Sequence, residues 1–447
     1  MTIDRRTALG AAVGLATTSL AGGAFAAGAS RVRRAASSMT ATSDDVAAFA
    51  EGVRLMKRRT DARSWAAQNR IHAERAQHGN RQFLPWHRLQ VSHMERIIGQ
   101  LTGHPRFAMP YWDWQEERYL PDWVLDPKSP LYEARRDPRV ARLDFYTERW
   151  ARNPDRERNG LATVTRDDFT TFFGTPRAAG RVEAYGHNII HELVGGASGY
   201  MSSTRLAALD PIFWLHHCNI DRVWATWHAK FGDSAYPRDW KSTRTSGFTG
   251  ADGRPTGQWE TSRFLTTQAL GYEYDAFYAP VVFAVAPGLA SVPVGATQYR
   301  MRVEAQPGES VLRVQLPDEA VALLRHPTAE VKVEGHGVVA YERSENLVGR
   351  GIQTVIGTGS TGIDLGISPT FVHFGGEHAM HEPYALVFAI DDEVRQLAVD
   401  TSGPITIQST ALDLRPDQSR PPAQAVSLEV VITLTEYRAP RPALQDQ

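Results

Sequence analysis

Two segments of this chain carry histidines at spacings that suggest a buried metal site, and they constrain the possible folds more than any other feature. Each segment can supply three imidazoles, and the neutral imidazole is a ligand suited to copper, zinc, iron or nickel. Two matched sets of three predict a paired metal centre, for which the two segments must face each other. The first segment contains His72, His78 and His87, and the second contains His187, His191 and the adjacent His216 and His217.

Residues 44 to about 280 are predicted to be mainly helical, with long loops between the helices. The acidic pair Asp44–Asp45 is expected to cap the first helix. His187 and His191 are four positions apart, so one helix can direct both rings at one ion. A further helix is expected from Phe213 to about Phe231. Together these elements predict a helical bundle that holds the metal pair in its core.

The predicted donor set favours particular metals. Neither segment places Asp or Glu at the ligand spacing, so the expected ligand atoms are all nitrogen. An all-imidazole site favours copper, with zinc as its competitor. A dizinc hydrolase is disfavoured, because such sites normally use bridging carboxylates.

The composition excludes several classes of partner. The formal net charge of -1 over 447 residues predicts no strongly basic face, so neither nucleic acid nor an anionic membrane surface is expected as a partner. No segment after the N-terminus approaches the roughly 18 apolar residues that a membrane span needs. Cys218 is the only cysteine, so the apolar cores and the metal, rather than a disulfide within the chain, must stabilise the fold.

The N-terminus has the composition of an export signal. Arg5 and Arg6 precede an apolar, Gly/Ala-rich stretch that runs to about Ala29, and residues 24–26 offer a small-residue cleavage site. Residues 1–29 are therefore predicted to be a twin-arginine signal peptide that is removed on maturation. The twin-arginine route carries folded proteins, which suits a cofactor loaded before export to the periplasm or the medium.

The pattern changes after Pro280. Residues 281–296 are rich in Ala, Pro, Gly and Val and are predicted to be a linker, and residues 297–440 contain apolar and polar residues in alternation. Alternation with turn residues between the runs predicts an all-β, sandwich-like C-terminal domain. The runs are Gln298–Glu304, Val311–Leu316, Val331–Glu334 and Leu428–Leu434.

Two runs of sequence resemble, in the family's order, both signature motifs of the tyrosinase (polyphenol oxidase) family of type 3 dicopper proteins. The resemblance covers roughly residues 44–280, and it implies a helical catalytic domain that binds two copper ions in an exported, bacterial-type member. The residues that carry it are His78, Phe83, Trp86, His87, Arg88 and Glu95 in the first run, and Asp210, Pro211, Phe213, His217 and Asp221 in the second.

The resemblance also implies individual roles. It assigns His72, His78 and His87 to the first copper, and His187, His191 and His217 to the second, which leaves His216 beside the site. His72 lies outside the signature motif. Arg88 and Asp221 are expected to form a buried pair that joins the helices of the two sites, and Trp86 and Phe213 are expected to shield the site from water.

Two more residues bear on which phenols react. Glu183 lies four positions before His187, where members of the family often have a glutamate that holds a water molecule, and Asn188 follows His187, where an asparagine helps to polarise that water. Together they are expected to deprotonate an incoming phenol. This pair favours hydroxylation of monophenols in addition to oxidation of diphenols.

The function predicted from the sequence is oxidation of o-diphenols, with hydroxylation of monophenols, to o-quinones by dioxygen. The partners are a phenolic small molecule and dioxygen, and a copper-delivery protein is a further candidate. An o-aminophenol oxidase with the same centre and a haemocyanin-like oxygen-binding protein are the alternatives. The sequence Gly271–Asp275 resembles the paired-tyrosine mark that closes the catalytic domain in plant and fungal relatives. Residues 297–440 are then expected to cover the active site, or else to be a purely structural or copper-delivery domain.

Overall fold

A computed structural model describes two parts, a helical domain and a β-rich domain that follows it. The predicted signal peptide, residues 1–29, and most of the predicted linker lie outside the described residues. In the described part, no helix has the length and apolar character that crossing a membrane requires. The described residues are 31–117, 119–141, 164, 168–196, 198–278, 292–327, 330–342, 344, 347, 350–358, 361–370, 383–390, 393–400, 402–413 and 421–438.

The helical domain is organised around two long helices that pack against each other, α3 and α7. Helix α1 packs on the other side of α3, where a Cβ atom on Gly52 would lie 2.8 Å from Ile98, so the glycine permits the close approach. Helix α3 ends at Gly103, which adopts a left-handed backbone with φ of 71°. The helices are α1 Asp44–Lys57, α2 Trp65–Arg75, α3 Phe83–Thr102, α4 Asp122–Leu125, α5 Phe169–Phe173, a π-helix Val182–His187 that continues as α6 Asn188–Gly195, α7 Ile212–Phe231 and α8 Arg238–Lys241.

The start of α1 differs from the sequence prediction by one residue. The N-cap is Ser43, whose backbone is extended, whereas Asp44 and Asp45 already lie in the first helical turn. Their carboxylates therefore stabilise the positive end of the helix dipole instead of capping it. The prediction that Asp44–Asp45 is the cap was wrong, because the residue at which the backbone leaves the extended conformation precedes both.

The C-terminal domain consists mainly of two antiparallel sheets. A four-stranded sheet has the order β11-β10-β13-β8, and a six-stranded sheet contains β12, β9, β14 and β7 in that order, with β7 at its edge. All four strands predicted from alternation are present. The strands are β7 Val292–Glu304, β8 Val311–Gln315, β9 Glu330–Tyr341, β10 Arg350–Thr358, β11 Thr361–Pro369, β12 Tyr384–Ile390, β13 Thr406–Asp413 and β14 Ala425–Arg438.

The β-rich domain also contains features that alternation did not predict. Two helices, α9 Asp318–Arg325 and α10 Glu393–Asp400, pack against each other, so the domain is β-rich and not all-β. Strand β7 begins at Val292 and so includes the last residues of the expected linker, residues 281–296. The strand extends there because β14 pairs with it as far as Val292.

Short strand pairs complete the helical domain, and one of them joins it to the C-terminal sheet. Strand β1 Arg31–Arg33 pairs in parallel with β6 Tyr272–Tyr274, and β4 Arg244–Thr245 pairs with β5 Trp259–Glu260. A hairpin made of β2 Gly174–Thr175 and β3 Ala178–Ala179 joins the edge of the six-stranded sheet, because β3 pairs in parallel with β12. The last strand pair links the helical domain directly to the C-terminal sheet.

Candidate metal centre

The first histidine cluster is built from two helices and the loop between them. His72 lies in the last turn of α2, His78 lies in the loop, and His87 lies in the second turn of α3. The N-terminus of α2 is capped, because the side chain of Ser64 accepts a hydrogen bond from the Ala67 N–H. All three imidazoles are buried, and one nitrogen of each lies within 4.8 Å of the others. The structure therefore brings together all three histidines assigned to the first copper.

The second cluster combines the π-helix, α6 and α7. His187 is the last residue of the π-helix and His191 lies one turn further along α6, with ring centroids 4.3 Å apart. Helix α7 contributes His216 and His217. All four rings are fully buried, or nearly so, and their nitrogens lie within 4.8 Å of one another. Single-turn π-helices are frequent at functional sites.

Backbone and side-chain oxygens fix the tautomers of three of these rings. Nδ1 of His87 lies 2.8 Å from the Phe83 carbonyl, and Nδ1 of His191 lies 2.6 Å from the Met201 carbonyl. Nδ1 of His187 lies 2.9 Å from the side-chain oxygen of Asn188. These oxygens can only accept, so each Nδ1 carries the hydrogen and each Nε2 presents its lone pair. Such contacts are typical of metal-binding histidines.

One distance tests whether the second cluster suits a metal ion. Nε2 of His187 and Nε2 of His217 are 3.3 Å apart. Two metal–imidazole bonds of about 2.0 Å at a tetrahedral angle would place their nitrogen atoms about 3.3 Å apart. The residues present therefore fit an ion bound by both rings.

The two clusters adjoin each other. The rings of His87 and His217, one from each cluster, are stacked with centroids 4.3 Å apart and an interplanar angle of 14°. His78 and His187 form a second stacked pair across the same boundary, at 5.7 Å. The predicted paired centre is therefore geometrically possible.

His216 and His217 occupy different sides of the second cluster. His216 stacks on His187 with centroids 5.2 Å apart and has the same separation from His191. His217 lies between His187 and His87, and so faces the first cluster. Both rings lie close enough to bind an ion, but only His217 lies between the two clusters in this way.

Burial keeps the second cluster uncharged. Desolvation, followed by the neighbouring imidazoles, lowers the pKa values of His187 and His217 well below the ordinary value for histidine. Desolvation also lowers the pKa of His191 to about 3. Neutral imidazole is the form that binds a transition metal, so the site is prepared for one at neutral pH.

Aromatic side chains surround both clusters. Phe83 contacts the rings of His87 and His187 at centroid distances of 4.7 Å and 4.6 Å. Phe213 lies 4.8 Å from His72 and 4.2 Å from His217. Trp86 packs edge-on against His87. The expected apolar surroundings, including Trp86 and Phe213, are therefore present.

Glu183 lies on the π-helix and is buried. Its Oε1 atom accepts a hydrogen bond of 2.7 Å from the N–H of Gly79, the residue after His78. Gly79 has a φ of 72°, a conformation that glycine adopts without strain. The carboxylate therefore ties the loop of the first cluster to the helix of the second.

Asn188, the other residue expected to bind water, is also buried. Its Oδ1 atom accepts from His187, as described above, and its Nδ2 atom donates to the hydroxyl of Tyr384 over 3.1 Å. Tyr384 begins β12 in the C-terminal domain. No sequence pattern distinguishes Tyr384, because a tyrosine at the start of an apolar strand has the pattern of a core residue.

A buried charge network lies behind the centre. Arg88 donates to Asp221, as predicted, and thereby joins α3 to α7. Asp221 also accepts from Arg33, Tyr272 and Tyr274, and Arg33 makes two hydrogen bonds to Glu95. Burial alone would raise the pKa of Asp221, but Arg88 and Arg33 outweigh it and the pKa is lowered. Sequence patterns did not identify the role of Arg33.

Several known proteins are similar in sequence to the helical domain. The family model for the common central domain of tyrosinase matches residues 55–132 and 119–230. A (+)-larreatricin hydroxylase from Larrea tridentata is 34% identical over 185 residues, which cover 35% of this chain and 32% of that protein. A tyrosinase from a Hahella species is 31% identical over 258 residues, which cover 51% of this chain and 54% of that protein. The chain thus spans between about a third and about half of the length of these relatives.

Solved structures share the fold over both domains. A latent apple tyrosinase superposes with a TM-score of 0.62 and 19% identity, covering 92% of this chain and 98% of that one. A functional unit of octopus haemocyanin superposes with a TM-score of 0.56 and 19% identity, covering 90% and 99%. At these identities the comparison establishes the fold alone, and it includes the predicted arrangement of a helical core and a β-rich C-terminal domain.

Proposed function

Because this chain belongs to the tyrosinase family of type 3 dicopper proteins, we propose that it is an oxidoreductase that oxidises o-diphenols to o-quinones. The observation that carries the proposal is the contact of two buried, all-imidazole clusters through the stacked rings of His87 and His217. In the balanced reaction, two diphenols each lose two electrons and two protons, and one dioxygen is reduced to two waters.

We assign His72, His78 and His87 to one copper ion and His187, His191 and His217 to the other. Copper ions held by these six imidazoles would supply dioxygen binding and the redox chemistry that oxidises the substrate. The position of His217 between the clusters and its 3.3 Å separation from His187 support its choice over His216. Phe83, Trp86 and Phe213 exclude water from the rings that they contact.

Turnover with purified, copper-loaded protein tests this proposal. We expect two copper ions per chain and oxygen-dependent oxidation of a catechol. An o-aminophenol oxidase with the same ligands would turn over an aminophenol and leave the catechol, so both substrates belong in the assay. Protein that holds two coppers and oxidises neither substrate would contradict the oxidase proposal.

The second candidate is an oxygen-binding protein, which the fold shared with the octopus haemocyanin unit favours. Such a protein would bind dioxygen reversibly at the same pair of ions. Release of intact dioxygen under vacuum, with no catechol consumed, would select this candidate over the oxidase.

We also propose that monophenols are hydroxylated, with Glu183 as the base that removes the phenol proton and Asn188 as its partner. The burial of Glu183 and its position one turn before His187 support this role. The hydrogen bond from Gly79 offers a different explanation, in which Glu183 only holds the loop.

Glu183→Gln separates these roles, because the amide oxygen can still accept from Gly79 but the side chain can no longer act as a base. We expect monophenol turnover to fall by about 100-fold or more, as loss of a general base does, with a much smaller change for diphenols. Equal losses on both substrates would contradict the base role. Glu183→Ala, which removes the acceptor as well, serves as the comparison.

Finally, we propose that the protein is exported in folded form by the twin-arginine route, with copper supplied beforehand by a delivery partner. In support, Arg33, which follows the predicted signal peptide by four residues, is completely buried. Changing Arg5 and Arg6 to lysines should retain the precursor in the cytoplasm, as measured by cell fractionation. Unchanged export of that variant would contradict the route.

A further inference from the structure

The π-helix that contributes His187 to the second cluster follows closely after a strand that pairs with the C-terminal sheet. In β3, Ala179 pairs with Leu386 of β12, and the π-helix begins three residues later at Val182. Ala178 and Ala179 are both buried and belong to two different apolar clusters of the β-rich domain. A short segment of chain therefore links this sheet to His187.

Apolar side chains of the π-helix also pack against the C-terminal domain. Ala184 and Tyr185 belong to the same buried cluster as Leu386 and Phe388. Strand β11 packs against both the π-helix and α6. Loss of the domain would expose these apolar side chains to water, which is unfavourable.

Tyr384 extends this support to a side chain that contacts a histidine. Its buried hydroxyl accepts from Nδ2 of Asn188, while Oδ1 of Asn188 accepts from Nδ1 of His187. Because the amide oxygen accepts from His187, the amide nitrogen is left to donate to the hydroxyl, and this second hydrogen bond anchors the side chain in the orientation that His187 requires. The interaction spans 196 positions in the sequence.

We infer that Tyr384 is a positioning residue for His187, and that the C-terminal domain is a structural support of the second metal site. The inference rests on the proposed dicopper site. It goes beyond a covering role, because removal of a cover would leave the affinity for metal unchanged, whereas removal of a support would lower it.

Tyr384→Phe tests the inference by removing a single oxygen atom. We expect the affinity for one of the two copper ions, measured by competition with a chelator, to fall by about 10-fold. This is the lower end of the roughly 10- to 100-fold range for loss of a direct hydrogen-bond partner of a metal ligand, because Tyr384 acts through Asn188. Because the effect passes through Asn188, it should be absent when Tyr384→Phe is made in an Asn188→Ala protein.

Tyr341→Phe is a matched control. Tyr341 lies opposite Tyr384 on the neighbouring strand β9, is equally buried, and donates its hydroxyl to the Ser310 carbonyl instead of the metal site. Without metal, both variants should unfold at a slightly lower temperature than the parent protein. Only Tyr384→Phe should also have a lower affinity for copper.

Three outcomes separate the possibilities. Equal copper affinities in the two variants would overturn the inference, as would an undiminished effect of Tyr384→Phe in the Asn188→Ala protein. A parent protein that never binds two metal ions would instead contradict the proposed function. The readouts are copper per chain and chelator competition, which do not depend on turnover.

Discussion

The two histidine clusters are alike in chemistry but differ in what holds them. The first takes its ligands from α2, α3 and the loop between them, a stretch of only 16 residues from His72 to His87. The second takes its ligands from two separate helices, and one of those helices packs against the C-terminal sheet. Local chain geometry determines the first cluster, whereas distant contacts complete the second.

The two clusters therefore differ in which contacts must form before each can bind its ion. A ligand set on neighbouring helices can form as soon as those helices pack. The second set needs α6 and α7 to meet, and it also needs the sheet that contacts the π-helix through Ala184 and Tyr185. We therefore expect changes in the C-terminal domain to affect the second ion more than the first.

The largest expected effect comes from removing a ligand in each cluster. His87→Ala and His217→Ala should each reduce the copper content from two ions per chain to one. Diphenol turnover should fall by more than the roughly 10- to 100-fold that follows loss of a group that only orients a ligand. Metal analysis and a catechol assay measure both results.

His216→Ala is the matched control for His217→Ala, because the two rings are adjacent and equally buried. It should keep two copper ions. If His216→Ala loses an ion while His217→Ala retains both, the ligand assignment is reversed. If His87→Ala empties both sites, the clusters do not load independently and the contrast between them does not apply to metal binding.

The sequence predicted the local parts of the site well. The helical spacing of His187 and His191, the long helix from about Phe213 and the pairing of Arg88 with Asp221 are all present in the structure. The first two relations involve residues within a few turns of one another, which periodicity reports directly. The pair Arg88–Asp221 was instead expected from the resemblance of two separate runs to the signature motifs of the family.

Other parts could not be predicted from sequence for physical reasons. The pairing of β3 with β12 joins Ala179 to a strand some 200 positions away, and strands of two residues have no alternation to detect. The π-helix is only six residues long and continues directly into α6, so it is too short to produce an apolar periodicity that could be told from that of an α-helix. Tyr384 is identified only by its contact with Asn188.

A second prediction concerns the charge network, which joins α3 of the first cluster to α7 of the second. Asp221→Asn leaves the buried guanidinium groups of Arg88 and Arg33 with one anion fewer, and breaking a buried pair in this way costs about 3–5 kcal/mol. Because Arg88 follows His87 and Asp221 lies one turn after His217, both copper affinities should fall together. Denaturant unfolding and chelator competition measure the two effects.

Asp113→Asn is the control for this change. Asp113 pairs with Arg222 of α7 at 2.8 Å and is nearly buried, but the pair does not involve α3. It should destabilise the fold while changing copper affinity less than Asp221→Asn does. If Asp221→Asn loses only the second ion, the network supports one cluster, which would contradict the expectation that both copper affinities fall together.

The smallest expected effect tests the loop of the first cluster. Gly79 has a φ of 72°, so Gly79→Ala imposes a backbone conformation that costs a residue with a Cβ atom about 1 kcal/mol. Gly103→Ala is the matched control, because its φ is 71° and a Cβ atom there would meet no atom within 4 Å. Both variants should lose about 1 kcal/mol of unfolding free energy. Only Gly79→Ala should also lower the affinity of one site for copper. The change shifts the loop next to His78, and with it the Gly79 N–H that donates to Glu183. Equal copper affinities in the two variants would mean that α2 and α3, and not the loop, determine the first cluster.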